Sequence, residues 1–237
     1  MERKFCSQHA ELDLGPAPVD IPSHRPPSHG PLAAASLDPS QADTGFDFTG
    51  QIRLLAADMA GRLSELAHID LDRVAIRFCQ ARKPVLYGVY ASLTPLRFEK
   101  GSRTTLRRGR VWQIQSVRDP QGREMLYLLS FYLPRFLNLS WRNKLSTVMH
   151  ELWHIGQEFD GDLRRHPGRC YAHSHSQRQY DALMEQLLDK WLALNPPDAV
   201  HAFLHHDFRE LLRREGRIYG LKMPTPKLIR MARSASV

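Results

Sequence analysis

The chain has 237 residues, 42% of them hydrophobic, which suits one folded domain with appended segments better than two full domains. Its three cysteines, Cys6, Cys79 and Cys170, form no CxxC pair, which argues against a disulfide framework and favours the reducing cytoplasm. No apolar run reaches the roughly 18 residues of a membrane span, and the N-terminus lacks the apolar core of a secretory signal. We therefore expect a cytoplasmic protein without a membrane partner.

The net charge of +8 is unevenly distributed. Residues 1–47 hold three basic and seven acidic residues, so the remainder of the chain carries a net charge of +12. A basic body can meet nucleic acid or another polyanion, although surplus arginine is also common on ordinary protein surfaces. The charge therefore leaves a non-specific nucleic-acid partner open without identifying one.

The N-terminal part of the chain divides into a leader and a helix. Residues 1–46 are rich in proline, serine and small side chains and lack a periodic apolar face, which predicts a disordered leader. Apolar residues then recur at helical spacing from Ile52 to Leu66, with Asp47 or Thr49 as the cap.

Four stretches that follow have the composition and alternation of strands. They are residues 73–81, 83–98, 110–117 and 124–132. The last is continuously apolar and stops near Pro134, which predicts a central strand. The turn residues between the last two stretches favour a hairpin that pairs 111–117 with 124–132.

Helices are expected in the C-terminal half. Ser140 is a plausible cap for one that runs to about Glu158 and buries a stripe formed by Leu145, Val148, Leu152 and Ile155. Residues 176–194 and 198–216 predict two more helices, and residues 221–237 an extended and partly loose C-terminal tail. This order of elements describes an α+β domain over residues 47–220.

The motif that indicates a metal site and a catalytic reaction is "HELWH", residues 150–154, in the first of these helices. His150 and His154 lie one helical turn apart on one face, so both imidazoles can reach one metal ion. This HExxH pattern is a zinc metallopeptidase signature. In that chemistry Glu151 is the general base for a water that Zn²⁺ makes acidic, and the bond cleaved is a peptide bond.

A third ligand must come from downstream, and several residues are available. His166, His173 and His175 follow His154 within twenty-one positions. The pattern HExxHxxGxxH fails, because Gly156 comes one position early and Asp160 stands where its last histidine would be needed. Glu185 on the next helix is an alternative that we rank below the histidines. A second pair at helical spacing, His201 and His205, has no adjacent glutamate, and we interpret it as helix surface.

The motif, the loop after it, and "HSQRQYD" at residues 175–181 resemble the SprT-like and phage-type metallopeptidases, over roughly residues 70–195. The resemblance implies a zincin-like fold, in which a small antiparallel or mixed sheet packs against the HExxH helix and further helices follow. It implies His175 as the third zinc ligand, with His173 and His166 as alternatives. It also places Tyr180 as the aromatic residue after that ligand, where it could contact an oxyanion or the substrate.

A second feature is the basic stretch "LRFEKGSRTTLRRGR", residues 96–110. We interpret it as a mobile loop before a strand, whose Arg107, Arg108 and Arg110 could contact phosphates. No aromatic side chain lies between Arg103 and Arg110, so we expect no sequence-reading role.

Three functions remain open from the sequence. The first is a zinc-dependent metallopeptidase with a protein or peptide substrate and Glu151 as the base. The second is a DNA-associated member of the same group that acts on DNA-bound proteins. The third is a non-catalytic interaction domain that keeps the fold.

Overall fold

The computed structural model describes residues 45–81, 88–165, 177–221, 223 and 225–231. The α-helices are α1 (Phe48–Arg62), α2 (Trp141–Trp153), α3 (Gln177–Ala193), α4 (Asp198–His201) and α5 (Phe208–Glu215). The strands are β1 (Phe46–Asp47), β2 (Val74–Gln80), β3 (Ala91–Pro95), β4 (Thr104–Arg107), β5 (Arg110–Ile114), β6 (Tyr127–Leu133), β7 (Ile218–Tyr219) and β8 (Leu228–Arg230). Short 3₁₀ helices cover Ser64–Leu66, Leu71–Arg73, Glu99–Gly101 and Ala202–His205.

The main sheet has the strand order β2-β6-β3. Strand β6 pairs in parallel with β2 and antiparallel with β3, so the sheet is mixed and β6 is its central strand. Because both faces of β6 are covered, its sequence is mostly apolar rather than alternating, and its buried Ser130 accepts a hydrogen bond from Arg77 Nε. The prediction of a central strand at this position is confirmed, and the neighbour β3 forms one edge.

One face of the main sheet packs against helices. Alternate residues of β6, Tyr127, Leu129 and Phe131, are fully buried in a core that they share with α1 and α2. Helix α1 begins where Asp47 accepts a hydrogen bond from the backbone N–H of Gly50, at 2.9 Å, as the predicted cap requires.

The other face of the main sheet carries a second, smaller sheet with the order β4-β5-β8. Ile114 of β5 and Leu128 of β6 are buried in the apolar cluster between the two sheets, and Leu228 of β8 packs against it. Two neighbouring strands of the small sheet, β4 and β5, form a hairpin through a two-residue turn, Arg108 and Gly109. The described chain is therefore an α+β protein with helices, a mixed sheet and an antiparallel sheet in three layers.

The predicted hairpin between 111–117 and 124–132 is wrong. The turn itself forms, since Arg118 and Glu124 make an isolated bridge and the N–H of Met125 donates to Val117 O. Beyond that point the strands enter different sheets, because β2 and β3 already occupy both edges of β6.

One further expectation needs correction. The helix predicted over 198–216 is broken, because Asp207 caps a new helix, α5, by accepting from the N–H of Glu210 at 2.8 Å. Within the C-terminal tail, predicted to be extended and partly loose, Leu228–Arg230 form the strand β8 that pairs with β5. The leader, apart from its last residues, lies outside the described residues. Among the helices that the structure describes, none has the length and hydrophobicity needed to cross a bilayer.

Candidate metal centre and active site

Helix α2 presents the two histidines of the motif. The side-chain oxygen of Ser140 accepts from the N–H of Asn143 at its start, as predicted. The expected stripe is fully buried and fixes the rotation of the helix; its members are Leu145, Val148, Leu152 and Ile155. The helix ends at Trp153, earlier than predicted, with His154 as its C-terminal cap.

The two imidazoles converge on one point. Nε2 of His150 and Nε2 of His154 are 2.9 Å apart, and the ring planes are inclined by 82°. Nitrogens that share a tetrahedral zinc ion at about 2.0–2.1 Å lie roughly 3.3 Å apart. The pair therefore fits a shared zinc ion after a shift of a few tenths of an ångström, and imidazole nitrogen is a ligand type that zinc accepts.

Glu151, which follows His150, is 3% exposed, and its carboxyl group lies near the backbone N–H of Leu93. Burial raises the pKa of the Glu151 carboxyl to about 8, and the nearby Leu93 N–H partly opposes this shift. A carboxyl group in this setting is poised to hold a proton or release it near neutral pH.

The position of Leu93 places Glu151 at the edge of the main sheet that β3 forms. The N–H of Tyr132 donates to Tyr90 O and the N–H of Leu96 donates to Leu126 O, so these residue pairs are the hydrogen-bonded pairs of the β3–β6 ladder. In an antiparallel ladder the residues between them point their N–H and C=O groups away from the partner strand. Leu93 is such a residue, so its N–H reaches Glu151 from the outer side of β3.

Tyr180 from α3 closes the other side of the histidine pair. Its ring centroid lies 5.1 Å from that of His150 and 6.1 Å from that of His154, and the side chain is 2% exposed. Burial, together with the nearby Glu151 carboxylate, raises the pKa of the Tyr180 hydroxyl well above its ordinary value, while the Arg164 cation opposes this shift. The structure thus brings His150, Glu151, His154 and Tyr180 together.

The chain after α2 turns back and returns to the end of the helix. Ile155 and Leu163 form a bridge, and the N–H of Arg164 donates to His154 O at 2.8 Å. The Arg164 guanidinium lies 3.9 Å from the centre of the Trp153 ring, and its Nε donates to Trp153 O. Arg164 therefore satisfies two carbonyls at the C-terminus of α2, where a cation also complements the helix dipole.

Arg164 was missed in the sequence, where it stands in an ordinary basic loop, "DLRRH". It is 8% exposed, and its buried Nη2 atom has no hydrogen-bond partner among the described residues. Nothing in the local pattern distinguishes Arg164 from the neighbouring Arg165, which is exposed and pairs with Asp162 at 2.9 Å.

All three histidine candidates for the third ligand, His166, His173 and His175, lie outside the described residues. The structure therefore leaves the choice among them open, and within the described part of the chain no three His, Cys, Asp or Glu side chains form a metal-binding group. Glu185 is engaged elsewhere, since it pairs with Arg142 at 2.7 Å near the N-terminal end of α2.

The second histidine pair has a different environment. His201 is 7% exposed and contacts the rings of Trp141 and Trp191, so its interpretation as helix surface is wrong. His205 is exposed and stacks on Trp141, with ring planes 8° apart. The rings of the two histidines are 6.5 Å apart, compared with 4.6 Å for His150 and His154.

The basic stretch is a hairpin rather than a loop. Arg97 at its start is buried and pairs with Glu124 at 2.7 Å, which Arg103 also contacts. Arg107, Arg108 and Arg110 are exposed at the tip of the β4–β5 hairpin. No ion pair joins them to a residue that the structure describes, unlike Arg97 and Arg103 of the same stretch.

Comparison of the chain with protein-family models, with curated proteins and with solved structures yields no match.

Proposed function

We propose that the protein is a zinc-dependent metallopeptidase with a zincin-like fold that hydrolyses peptide bonds in protein or peptide substrates. One observation carries the proposal: two imidazole nitrogens 2.9 Å apart adjoin a buried carboxyl group that lies near the backbone N–H of Leu93 on the edge strand β3. Histidine packing alone would not place a buried, acidic side chain at that edge, because burying a carboxyl group is unfavourable without a compensating role.

His150 and His154 would hold the zinc ion, with His175 as the third ligand and His173 and His166 as alternatives. The residues that flank the segment containing these candidates support this assignment. Arg164 donates to His154 O before the segment, and Tyr180 packs on both imidazoles after it. A bound zinc ion would supply Lewis acidity and a low pKa for a coordinated water.

The chain's own groups would move the proton and stabilise charge. Glu151 would accept a proton from the attacking water at its carboxylate and pass that proton to the leaving amine nitrogen. The Tyr180 hydroxyl would donate a hydrogen bond to the substrate's carbonyl oxygen as negative charge develops there.

Strand β3 would bind the substrate backbone. Its outer edge offers the outward C=O groups of Ala91 and Leu93 beside Glu151, and an extended peptide could pair with such an edge by main-chain hydrogen bonds. The scissile bond would then lie next to the carboxyl group that acts on it, which is the positioning that catalysis requires.

The test uses the full-length protein and the Glu151→Gln variant, which keeps the size of the side chain but cannot accept the proton. Zinc content is measured for both proteins, and cleavage of an unfolded protein such as reduced casein is followed. We expect both proteins to bind zinc, and the variant to lose at least about 100-fold in rate.

Equal rates for the two zinc-loaded proteins would overturn hydrolysis by Glu151. A melting temperature that is unchanged by a chelator, with no zinc in the purified protein, would overturn the metal site itself. Zinc binding without any cleavage would favour the non-catalytic interaction domain.

A further inference from the structure

The small sheet β4-β5-β8 gathers arginines and one indole on a single face. Cross-strand partners in a sheet point to the same side, as do alternate residues along a strand. Trp112 on β5 is paired with Thr105 on β4 and with Arg230 on β8, and Arg107 is paired with Arg110. Trp112, Arg107, Arg110 and Arg230 therefore share one face, although Arg230 is 120 residues from Arg110 in the sequence. We call these four residues the Trp112 face.

The arginine side chains of this face form no ion pairs with the described residues. Elsewhere near the small sheet, Arg103 pairs with Glu124, and Arg123 pairs with Asp119 and Asp72. No hydrogen bond or ion pair joins the side chains of Arg107, Arg110 or Arg230 to any residue that the structure describes. All three are exposed, so their charges are available to a ligand.

The Trp112 side chain is half-buried and lies on the same face as these arginines. At the other end of the same face Ile114 is 7% exposed and packs in the cluster beneath the sheet, so the end that carries the arginines extends beyond the core. A rigid strand thus holds an aromatic surface between positive charges. The spacing along the strand is set by the pleat, about 7 Å between alternate residues, which is close to the repeat of a nucleic-acid backbone.

We propose that the Trp112 face binds single-stranded nucleic acid, with Arg107, Arg110 and Arg230 on the phosphates and a base stacked on Trp112. Positive charge that tracks the backbone, combined with an aromatic stacking platform, is the arrangement by which proteins hold single strands without reading sequence. The exposed aliphatic side chains of the same sheet, Leu106, Val111 and Ile229, lie on the opposite face. The arginine face itself therefore lacks the apolar area that a lipid surface would need, which favours nucleic acid over a membrane.

The basic stretch alone does not reveal this face, because the stretch ends at Arg110. Trp112 lies two residues further along, and Arg230 arrives with the C-terminal strand β8. Stacking on Trp112 without contacts to base edges agrees with the expectation of no sequence-reading role. The proposal does not rest on hydrolysis, because none of its residues belongs to the histidine site.

The experiment measures binding of the full-length protein to a fluorescein-labelled oligothymidylate of about 20 nucleotides, longer than the roughly 4–16 nucleotides of a single-strand site. Fluorescence anisotropy is recorded from about 50 to about 200 mM salt. We expect the triple variant R107A/R110A/R230A to bind at least about tenfold more weakly and to lower the slope of log K against log salt by about 2. Trp112→Ala should weaken binding by about fivefold or more, with Trp112→Phe between it and the wild type.

A matched control removes the same charge elsewhere. The triple variant R209A/R213A/R214A on α5 changes three exposed arginines and leaves the small sheet intact. It should bind within about twofold of the wild type and keep most of the salt slope. Glu151→Gln should bind as the wild type does, because the two sites are separate.

Several outcomes would overturn the proposal. One is the absence of oligonucleotide binding, and another is an equal loss in the α5 control and in R107A/R110A/R230A. Equal affinity for a duplex of the same length, unaffected by Trp112→Ala, would remove the single-strand assignment. Binding only to phosphatidylcholine vesicles that contain phosphatidylserine would assign the face to a membrane instead. If Trp112→Ala fails to fold, the arginine variants alone decide the outcome, since their side chains are exposed.

Discussion

The backbone N–H of Leu93, on the outer side of strand β3, faces the carboxyl group of Glu151 on helix α2. This contact joins the edge on which a peptide would lie to the group that would move its proton. The helix is held against the sheet by a fully buried stripe, so the relative position of the two residues is set by core packing. The proposed base and the proposed substrate edge therefore form one rigid unit.

The histidine pair should be needed for zinc. We expect His150→Ala and His154→Ala each to lose stoichiometric zinc, because a site with one imidazole fewer binds far more weakly. The loss should also remove the rise in melting temperature on adding zinc, which is worth about 2.7 kcal/mol when zinc is at 100 times its dissociation constant. His205→Ala, from the exposed member of the other pair, is the control and should keep its zinc. Full zinc content in the His150 and His154 variants would refute the site.

The third ligand can be identified by the same measurement. His166→Ala, His173→Ala and His175→Ala are prepared singly, and zinc content and zinc affinity are compared with those of the wild type. We expect His175→Ala to lose zinc and the other two to keep it, because His175 shortly precedes Tyr180, whose ring packs on both α2 histidines. If His175→Ala binds zinc normally, the assignment passes to whichever of the other two variants has lost it.

Glu124 should stabilise the protein against acid. Its carboxylate accepts from Arg97 and Arg103, and the Arg97 contact does most to lower the Glu124 pKa to about 2. A folded pKa below the unfolded value of 4.5 gives stability that is present above about pH 4.5 and lost as pH falls towards 2. Glu124→Gln should cost about 2 kcal/mol at pH 7, because it leaves the buried Arg97 cation unpaired, and much less near pH 2.

Urea denaturation at pH 7 and at pH 3 measures this difference. Asp119→Asn is the matched control, since Asp119 pairs with an arginine that is half exposed, Arg123. The control should change the free energy of unfolding by much less than Glu124→Gln does. A Glu124→Gln deficit that is the same at both pH values would contradict the proposed role of the ion pair.

Some parts of this fold can be predicted from the sequence because they depend on local patterns. The stripe of α2 and the caps at Asp47 and Ser140 depend on residues within a few turns of each other, and each is found where the pattern predicts. The apolar run of β6 identifies a central strand because burial on both faces leaves no polar alternation. The HExxH motif likewise places its two histidines on one face, because they are one turn apart in a single helix.

Other parts depend on residues that are distant in the chain, and local patterns do not contain them. The turn at residues 118–123 predicts a hairpin, but β2 and β3 compete for the edges of β6 and separate its two arms. Arg164 can bind the carbonyl groups at the C-terminus of α2 only because the chain folds back to that end of the helix. Arg230 lies beside Trp112 only because β8 pairs with β5. No spacing rule links these residues, so only the folded chain reveals the contacts.

Because of Lys144, the free energy of unfolding should rise as the pH increases through the alkaline range. The side chain is 2% exposed, its Nζ donates to Leu204 O and His206 O, and burial lowers its pKa to about 8. The unfolded chain then binds more protons than the folded chain between about pH 8 and pH 10.5, so stability rises with pH in that window. A neutral amine still has the two hydrogens that these carbonyls need.

The prediction is tested against Lys144→Met, which has no proton to lose. The free energy of unfolding of the wild type should rise relative to that of Lys144→Met, by on the order of 2 kcal/mol between pH 8 and 10.5. Parallel pH profiles for the two proteins would show that the lysine is charged throughout this range in the folded state.

Arg108 should be replaceable with a gain in stability. It occupies the first position of the two-residue turn between β4 and β5 with φ of 49°, followed by Gly109 with φ of 69°. Positive φ at both positions is typical of a type I′ turn, which favours Asn-Gly, and an ordinary side chain there is strained by about 1 kcal/mol. Because the Arg108 side chain is exposed, Arg108→Asn should stabilise the protein by about 0.5–1 kcal/mol. Arg110→Asn is the control: Arg110 lies in β5, outside the turn, so its replacement relieves no strain and should not raise the stability. A melting temperature for Arg108→Asn at or below the wild-type value would show that the turn does not bear the expected strain.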